Sequence, residues 1–199
     1  MKVDRNLDAP LVSVLLPVFN CETYIGLAVE SIVAQTYRNI EVIVVDDGST
    51  DGTGQVLYEA AKTDDRIHVI RTENRGLIAA LNTAIEAANG ELAARMDADD
   101  VAEPERFAQQ VAHMLARPNC VAVGTSTSVI DANGNLAEQQ PSTSDSIHLA
   151  DRCRQFERFP PAPQNLVHPS AMIRMSALRK VGGYRSYFKN GAEDRDLWW

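Results

Sequence analysis

Four short runs of nearly unbroken apolar residues, each followed by a stretch of helical periodicity, constrain this chain more than any other feature. Residues 11–16 (LVSVLL), 41–45 (EVIVV), 67–70 and 92–96 read as strands. The first two are apolar at successive positions, so both faces need cover. Pro17 is expected to stop the first strand. Between the strands, Ile25, Ala28, Val29, Ile32 and Val33 recur at i, i+3, i+4, i+7 and i+8, which predicts an amphipathic helix over about 23–36. Val56, Leu57 and Ala60 mark a second helix. Ile78, Leu81, Ile85 and Ala88 mark a third, with Gly90 where a left-handed cap is wanted. Phe107, Val111, Met114 and Leu115 mark a fourth, whose first turn accommodates Pro104. Alternation of this kind predicts the α/β class: a mostly parallel sheet with helices on both faces. Ligands of such sheets bind beyond the carboxyl ends of the strands.

The second half reads differently. Residues 121–130 suggest β structure, and Asn133-Gly134 is a hairpin signal. Ile147, Ala150 and Cys153 suggest a helix, and residues 159–163 (FPPAP) a loop rich in breakers. Residues 168–175 read as a strand. Ser176 is placed to cap a short helix ending at Gly182-Gly183.

A length of 199 residues, 45% of them hydrophobic, suits one domain with a sizeable core. The net charge of −8 argues against nucleic acid as a partner. Cys21, Cys120 and Cys153 form no C-x-x-C and are odd in number, so they read as reduced thiols of a cytoplasmic protein, without disulfides or structural zinc. No apolar run reaches the length of a membrane span, and the opening MKVDRNLDAP is not a signal peptide. The inner face of the membrane is the alternative location, through a longer parent protein.

Two acidic clusters fall at predicted strand ends. Asp97-Ala98-Asp99 presents two carboxylates to one side of the chain, a set suited to Mg²⁺ or Mn²⁺ shared with substrate phosphates. Helix capping near Pro104 is the competing explanation. Asp46-Asp47-Gly48-Ser49 reads as a turn, with Ser49, Thr50 or Asp51 capping the next helix. Capping leaves the paired aspartates unexplained, and a carboxylate there could accept from a base or a ribose. Arg71, Arg75 and Arg95 lie near the same edge, with Arg75 the favoured nucleotide contact. A calcium loop from Asp47 fails at its twelfth position, Tyr58, and one from Asp97 fails at Ala102 and Ala108. Neither a G-x-G-x-x-G fingerprint nor a Walker lysine loop is present.

The ordered series VSVLLPVFN, SIVAQTYRNIEVIVVDDGSTDGT, ENRGLIAALNTAIEAANGELAARMDADD, HPSAMIRMSALRKVGGY and EDRDLWW resembles the inverting family 2 glycosyltransferases with the GT-A fold. The resemblance spans nearly the whole chain from Val12. It implies one GT-A domain over 1–199, with a nucleotide-binding half (11–100) and an acceptor-side half with a small mixed β region (101–199). Pro17, Phe19, Asn20, Asp46, Asp47, Arg75, Asp97 and Ala98 would contact the nucleotide, probed most directly by Asp47. Asp97 and Asp99 would hold Mn²⁺ or Mg²⁺, with Asp99 the closer ligand. Asp194 would be the catalytic base, with Glu193 its rival, and His168 would lie on the acceptor side. The implied donor is a nucleotide-sugar, UDP-linked by resemblance, and the implied acceptor is a carbohydrate or lipid-linked carbohydrate. The chain ends at Trp199, where family members usually continue, so it reads as truncated at its C-terminus. The Trp198-Trp199 pair could then drive homo-oligomer formation. Two other readings stand beside the transferase: a nucleotide- and metal-binding fragment without turnover, and a sugar nucleotidyltransferase. The second expects a glycine-rich basic loop where this chain has Pro17-Val18-Phe19-Asn20.

Overall fold

The computed structural model describes residues 9–131, 134–138 and 167–188. Strands β1 (Val12–Val18), β2 (Ile40–Asp46), β3 (Ile67–Arg71) and β4 (Leu92–Arg95) alternate with helices α1 (Ile25–Val33), α2 (Thr53–Thr63) and α3 (Leu77–Ala87). Helix α4 (Arg106–Ala116) follows, then β5 (Ala122–Val123), a hairpin of β6 (Val129–Ile130) and β7 (Leu136–Glu138), β8 (Met172–Arg174) and α5 (Met175–Lys180). The six-stranded sheet has the order β3-β2-β1-β4-β8-β5. Its first four strands are parallel, while β8 is antiparallel to both β4 and β5. The expected mostly parallel α/β sheet is therefore present. The order reverses at β1, which has β2 on one side and β4 on the other, so the β1–β4 crevice is the switch point where ligands of such sheets bind.

Side-chain alternation along buried strands separates two cores. Val12, Val14, Leu16 and Val18 of β1 pack with Ile25, Ile32, Leu57, Phe107 and Met114, so α1, α2 and α4 share one face. Leu15, Ile43 and Val45 pack with Ile78, Leu81, Met175 and Leu178, so α3 and α5 cover the other.

Several boundaries differ from the sequence expectation. Pro17 does not end β1: it pairs with Val45, and the strand runs to Val18. Met96 donates to the Leu15 carbonyl, so alternation turns the Pro17 nitrogen toward β4, past that strand's last residue. No ladder bond is lost there. Helix α1 is shorter than expected because Gln35 and Thr36 tie the chain to the α4 entry. Gln35 donates to the Glu103 carbonyl (2.7 Å) and accepts from the Phe107 N–H (3.0 Å), and Thr36 N–H donates to Pro104 (2.8 Å). Pro104 thus lies just before α4 rather than in its first turn, and Leu115 points outward. Residues 168–170 form a 3₁₀ turn ahead of β8, and Ser176 lies inside α5 rather than capping it. That helix does end at Gly182-Gly183, both at positive φ, with Gly183 N–H donating to Leu178 and Gly182 N–H to Arg179. Gly90 has no left-handed conformation. A Cβ there would come within 2.5 Å of Ser13 Oγ and 2.7 Å of the Leu11 carbonyl, so close approach to β1 is what requires glycine. The hairpin expected near Asn133-Gly134 forms between β6 and β7. The helix expected around Ile147, Ala150 and Cys153, and the loop at 159–163, lie outside the described residues.

Candidate functional site

A cleft of about 480 Å³ opens at the carboxyl ends of β1 and β4, lined by Pro17, Phe19, Asn20, Cys21, Glu22, Asp51, Asp97, Ala98 and Asp99, together with Val18, Thr23 and Tyr24. Its floor is built by two loops that clamp each other. From the β1–α1 loop, the N–H groups of Asn20, Cys21 and Glu22 donate to the Ser49 hydroxyl (3.0 Å), the Thr53 hydroxyl (2.8 Å) and Asp51 (3.2 Å). In return, the N–H groups of Thr50 and Gly52 donate to Asn20 Oδ1 (2.8 Å) and Glu22 Oε2 (2.6 Å). The polar run after β2 is therefore a clamp rather than the expected cap: the N-cap of α2 is Gly52, without a side-chain cap bond, and Asp51 accepts from Thr53 N–H in a local turn ahead of it. Asn20 sits at φ 48°, a left-handed conformation that asparagine tolerates better than most residues. Phe19 leaves a half-exposed ring at the cleft mouth.

Of the sequence-predicted nucleotide contacts, Pro17, Phe19, Asn20, Asp97 and Ala98 line this cleft, and Asp99 lines it with them. Asp46, Asp47 and Arg75 do not. Asp46 is buried, accepting from Ser49 N–H (2.8 Å) with Arg71 3.7 Å away, so its carboxylate serves its own loop. Asp47 is also buried and holds the segment before α3. Its Oδ1 accepts from Arg75 N–H (2.9 Å) and the Thr72 hydroxyl (3.2 Å), and its Oδ2 from Gly76 N–H (2.7 Å). A carboxylate offers about four acceptor positions, so roughly one remains on Oδ2. The Arg75 side chain is exposed. His168 is buried, with Nε2 2.7 Å from the Tyr184 hydroxyl. Tyr184 is in turn held through its backbone N–H and carbonyl by the Asn82 side chain. Asp194 and Glu193 lie outside the described residues.

Arg95, less favoured by the sequence than Arg75 as a nucleotide contact, takes a different position in the structure. Its guanidinium is 3% exposed and forms an ion pair with Asp97, whose side chain is 37% exposed. Arg95 Nε meets no acceptor among the described residues. The signal was available in the sequence: positions 95 and 97 are two apart on an extended segment and share a face. Beneath them Arg106 donates to the carbonyls of Arg95 (2.8 Å) and Pro169 (2.9 Å). Burial lowers the Arg106 guanidinium to about 10, against the pull of Asp100, with Arg95 adding to the drop. Loss of hydration, then Asp97 and Asp99, push the Asp100 carboxyl up. Cys21 was also missed. Its thiol, 3.5 Å from the Ala98 carbonyl, is pushed up by burial and by the Asp99 and Asp51 charges, which keeps it protonated rather than nucleophilic.

The cleft lining thus carries four carboxylates, Glu22, Asp51, Asp97 and Asp99, and no lysine or arginine among the described residues. Glu22 and Asp51 are occupied by the clamp. Asp97 and Asp99 remain as oxygen donors, and no third His, Cys, Asp or Glu converges with them among the described residues. Such a donor set fits Mg²⁺ or Mn²⁺, which usually take one or two carboxylates and complete their shell with water and phosphate. It does not fit a structural zinc.

A parallel sheet with an acidic pair at its switch-point crevice, closed by antiparallel β8, has the architecture of the GT-A glycosyltransferases. The profile of Glycosyl transferase family 2 matches residues 13–182, and the chain belongs to that family. It is 37% identical over 193 residues to EpsE of Bacillus subtilis (strain 168), covering 95% of this chain and 66% of that protein. Among solved structures, the mannosyltransferase PcManGT from Pyrobaculum calidifontis, in complex with GDP-Man and Mn²⁺, superposes with TM-score 0.71 at 26% identity, over 96% of this chain and 51% of that one. Residues 1–349 of TarS from S. aureus, in complex with UDP, match in fold with TM-score 0.68 at 24% identity, over 94% of this chain and 53% of that one. The chain thus spans less than two thirds of each of these proteins. No helix among the described residues is long and apolar enough to cross a membrane.

Proposed function

We propose that this chain carries the donor site of a glycosyltransferase that moves a sugar from a nucleotide-diphosphate sugar, UDP-linked, to a hydroxyl of a carbohydrate or lipid-linked carbohydrate. Transfer proceeds with inversion and with Mn²⁺ or Mg²⁺. The observation that carries the reading is the cleft itself: Asp97 and Asp99 meet Pro17 and Phe19 at the β1–β4 switch point, in a lining without a cationic side chain among the described residues. A pyrophosphate cannot enter four carboxylates unaccompanied, so the charge pattern calls for a divalent ion arriving with it. The Mn²⁺ and GDP-Man held by the mannosyltransferase relative support that pairing. When bound, the cation supplies Lewis-acid stabilisation of the leaving diphosphate.

The residues then divide the work. The Phe19 ring and Pro17 offer an apolar wall for the base, and the remaining Asp47 acceptor position would take a donor from the ribose or base. Asp97 and Asp99 hold the cation. Asp194 takes the proton from the acceptor hydroxyl as it attacks the anomeric carbon opposite the leaving group, and a single in-line displacement inverts the configuration. Residues 1–199 act as one domain, in the cytoplasm, with 11–100 serving the donor and 101–199 the acceptor.

Calorimetric titration with UDP, GDP and dTDP, each with and without Mn²⁺, tests the donor reading. UDP binding that requires Mn²⁺ is expected; metal-independent binding of all three overturns it. In a protein that includes whatever further segment turnover needs, Asp194→Ala should lower transfer by about 10²–10⁴-fold while leaving donor binding intact. Transfer at the normal rate would remove Asp194 from the mechanism.

A further inference from the structure

We infer that Arg95 is a positioning residue that makes cation binding at the Asp97–Asp99 pair depend on a bound nucleoside diphosphate. The inference rests on the proposed donor site and adds the control of its metal. Three observations carry it. The Arg95 guanidinium is almost wholly buried at the end of β4, and its ion-pair partner is Asp97, which reaches the cleft. Its Nε has no hydrogen-bond acceptor among the described residues, and Asp97 is its ion-pair partner there, with the Asp100 carboxyl also within reach of its charge. Nearby Arg106 directs its Nε to Gln110 Oε1 (3.3 Å) and its Nη2 to the carbonyls of Arg95 and Pro169, rather than to Asp97.

The consequence follows from charge. Separating a buried guanidinium from its ion-pair carboxylate leaves a poorly compensated charge in a poor solvent, so the pair stays together. Asp97 therefore reaches a cation already half neutralised, and Asp99 is the one fully available anion of the pair. One free carboxylate and one compensated carboxylate hold a hard divalent ion weakly; the phosphate oxygens of a nucleotide complete the shell. Arg95 thus disfavours metal on the empty protein and permits it on the nucleotide-loaded one. It also fixes the Asp97 rotamer, leaving the outward oxygen for the ion.

The test follows free Mn²⁺ by electron paramagnetic resonance in wild type, Arg95→Met, Arg95→Gln and Arg95→Lys, with and without UDP or GDP. Thermal melting confirms that each variant is folded. Wild type should bind Mn²⁺ weakly alone and at least about tenfold more tightly with the nucleotide. Both neutral variants should bind Mn²⁺ alone at least about tenfold more tightly than wild type, since even full screening by water gives that order for removing a unit charge a few ångströms from a divalent ion. Their nucleotide enhancement should shrink in proportion, and Arg95→Lys should behave as wild type. Arg95→Gln decides the matter if Arg95→Met does not fold. Unchanged or weaker Mn²⁺ binding in the neutral variants overturns the inference, as does tightening in Arg95→Lys equal to theirs. A wild type that takes up neither Mn²⁺ nor nucleotide overturns the donor-site reading itself, which is a distinguishable result.

Discussion

Asp47→Asn separates two roles that the sequence alone merges: reading a ligand and holding the chain. The structure commits most of this carboxylate to the chain, through Arg75 N–H, Gly76 N–H and the Thr72 hydroxyl. Asparagine keeps one oxygen and replaces the other by an NH₂. If Oδ1 keeps its two donors, the new NH₂ faces Gly76 N–H at the former 2.7 Å, donor against donor. If the amide flips, two donors are lost instead. The first outcome removes one charge-assisted bond, worth about 1.5–3 kcal/mol, and weakens two more by removing the charge. A net loss of about 3 kcal/mol is a large share of the roughly 5–15 kcal/mol that holds a domain together. For a chain of this size it lowers the melting temperature by roughly 6–12 °C. Urea denaturation followed by far-ultraviolet circular dichroism measures the loss directly, and calorimetry of the folded fraction measures nucleotide affinity. A variant that unfolds at the wild-type urea midpoint would refute the anchoring role and return Asp47 to ligand reading alone.

Two further outcomes are expected elsewhere in the fold. Gly90→Ala places a methyl within 2.5–2.7 Å of Ser13 and Leu11 atoms on a central strand, where little can yield, and should cost about 1–3 kcal/mol in a urea titration. Burial raises the Glu41 carboxyl, but hydrogen bonds from Ser13 (2.5 Å), Asn89 N–H (2.6 Å) and side chain, and Gly90 N–H outweigh it and hold the group below the ordinary glutamate range. A lowered folded value means stability that is present above the ordinary pKa and lost as pH falls through the folded one. The acid limb of a stability profile below about pH 4.5 should therefore be shallower in Glu41→Gln than in wild type; parallel limbs would show that Glu41 carries none of the proton linkage.

Most of the sheet was legible because its strands are buried on both faces and its helices on one, so hydrophobic period alone separates them. Boundaries failed where tertiary contacts overrule local signals. Pro17 looked like a stop because its missing N–H matters only if a neighbour needs it, and β4 has already ended there. Gly90 looked like a cap because glycine's tolerance of left-handed backbone and its lack of a side chain leave the same letter in a sequence. The short strands β5 and β8 pair at long range, and nothing local marks residues 168–170 as a turn rather than as strand. At the site, the D-x-D pair and the Pro17–Asn20 segment were legible from their position at strand ends, and they meet in one cleft. The partners of those residues were not, since a hydrogen bond such as that between Asn20 and Thr50 joins positions thirty residues apart.

The aspartates after β2 show why a motif's letters understate its physics. Asp46 and Asp47 invited a ligand because two carboxylates after a buried strand seemed more than a turn needs. The turn uses both: Asp46 closes its own loop through Ser49, and Asp47 ties the chain ahead of α3 to the end of β2. Ser49, Thr50, Asp51 and Thr53 in turn fix the β1–α1 loop that carries Phe19 and Asn20 to the cleft. A donor pocket at a switch point draws on loops from separate strands, and those loops have no ladder to hold them. The acidic and hydroxyl residues supply that missing ladder. On this account, the same side chains that mark the site in the sequence preorganise it in the structure, and among the described residues of the cleft lining the carboxylates left uncommitted to the loop clamp are Asp97, shared with Arg95, and Asp99.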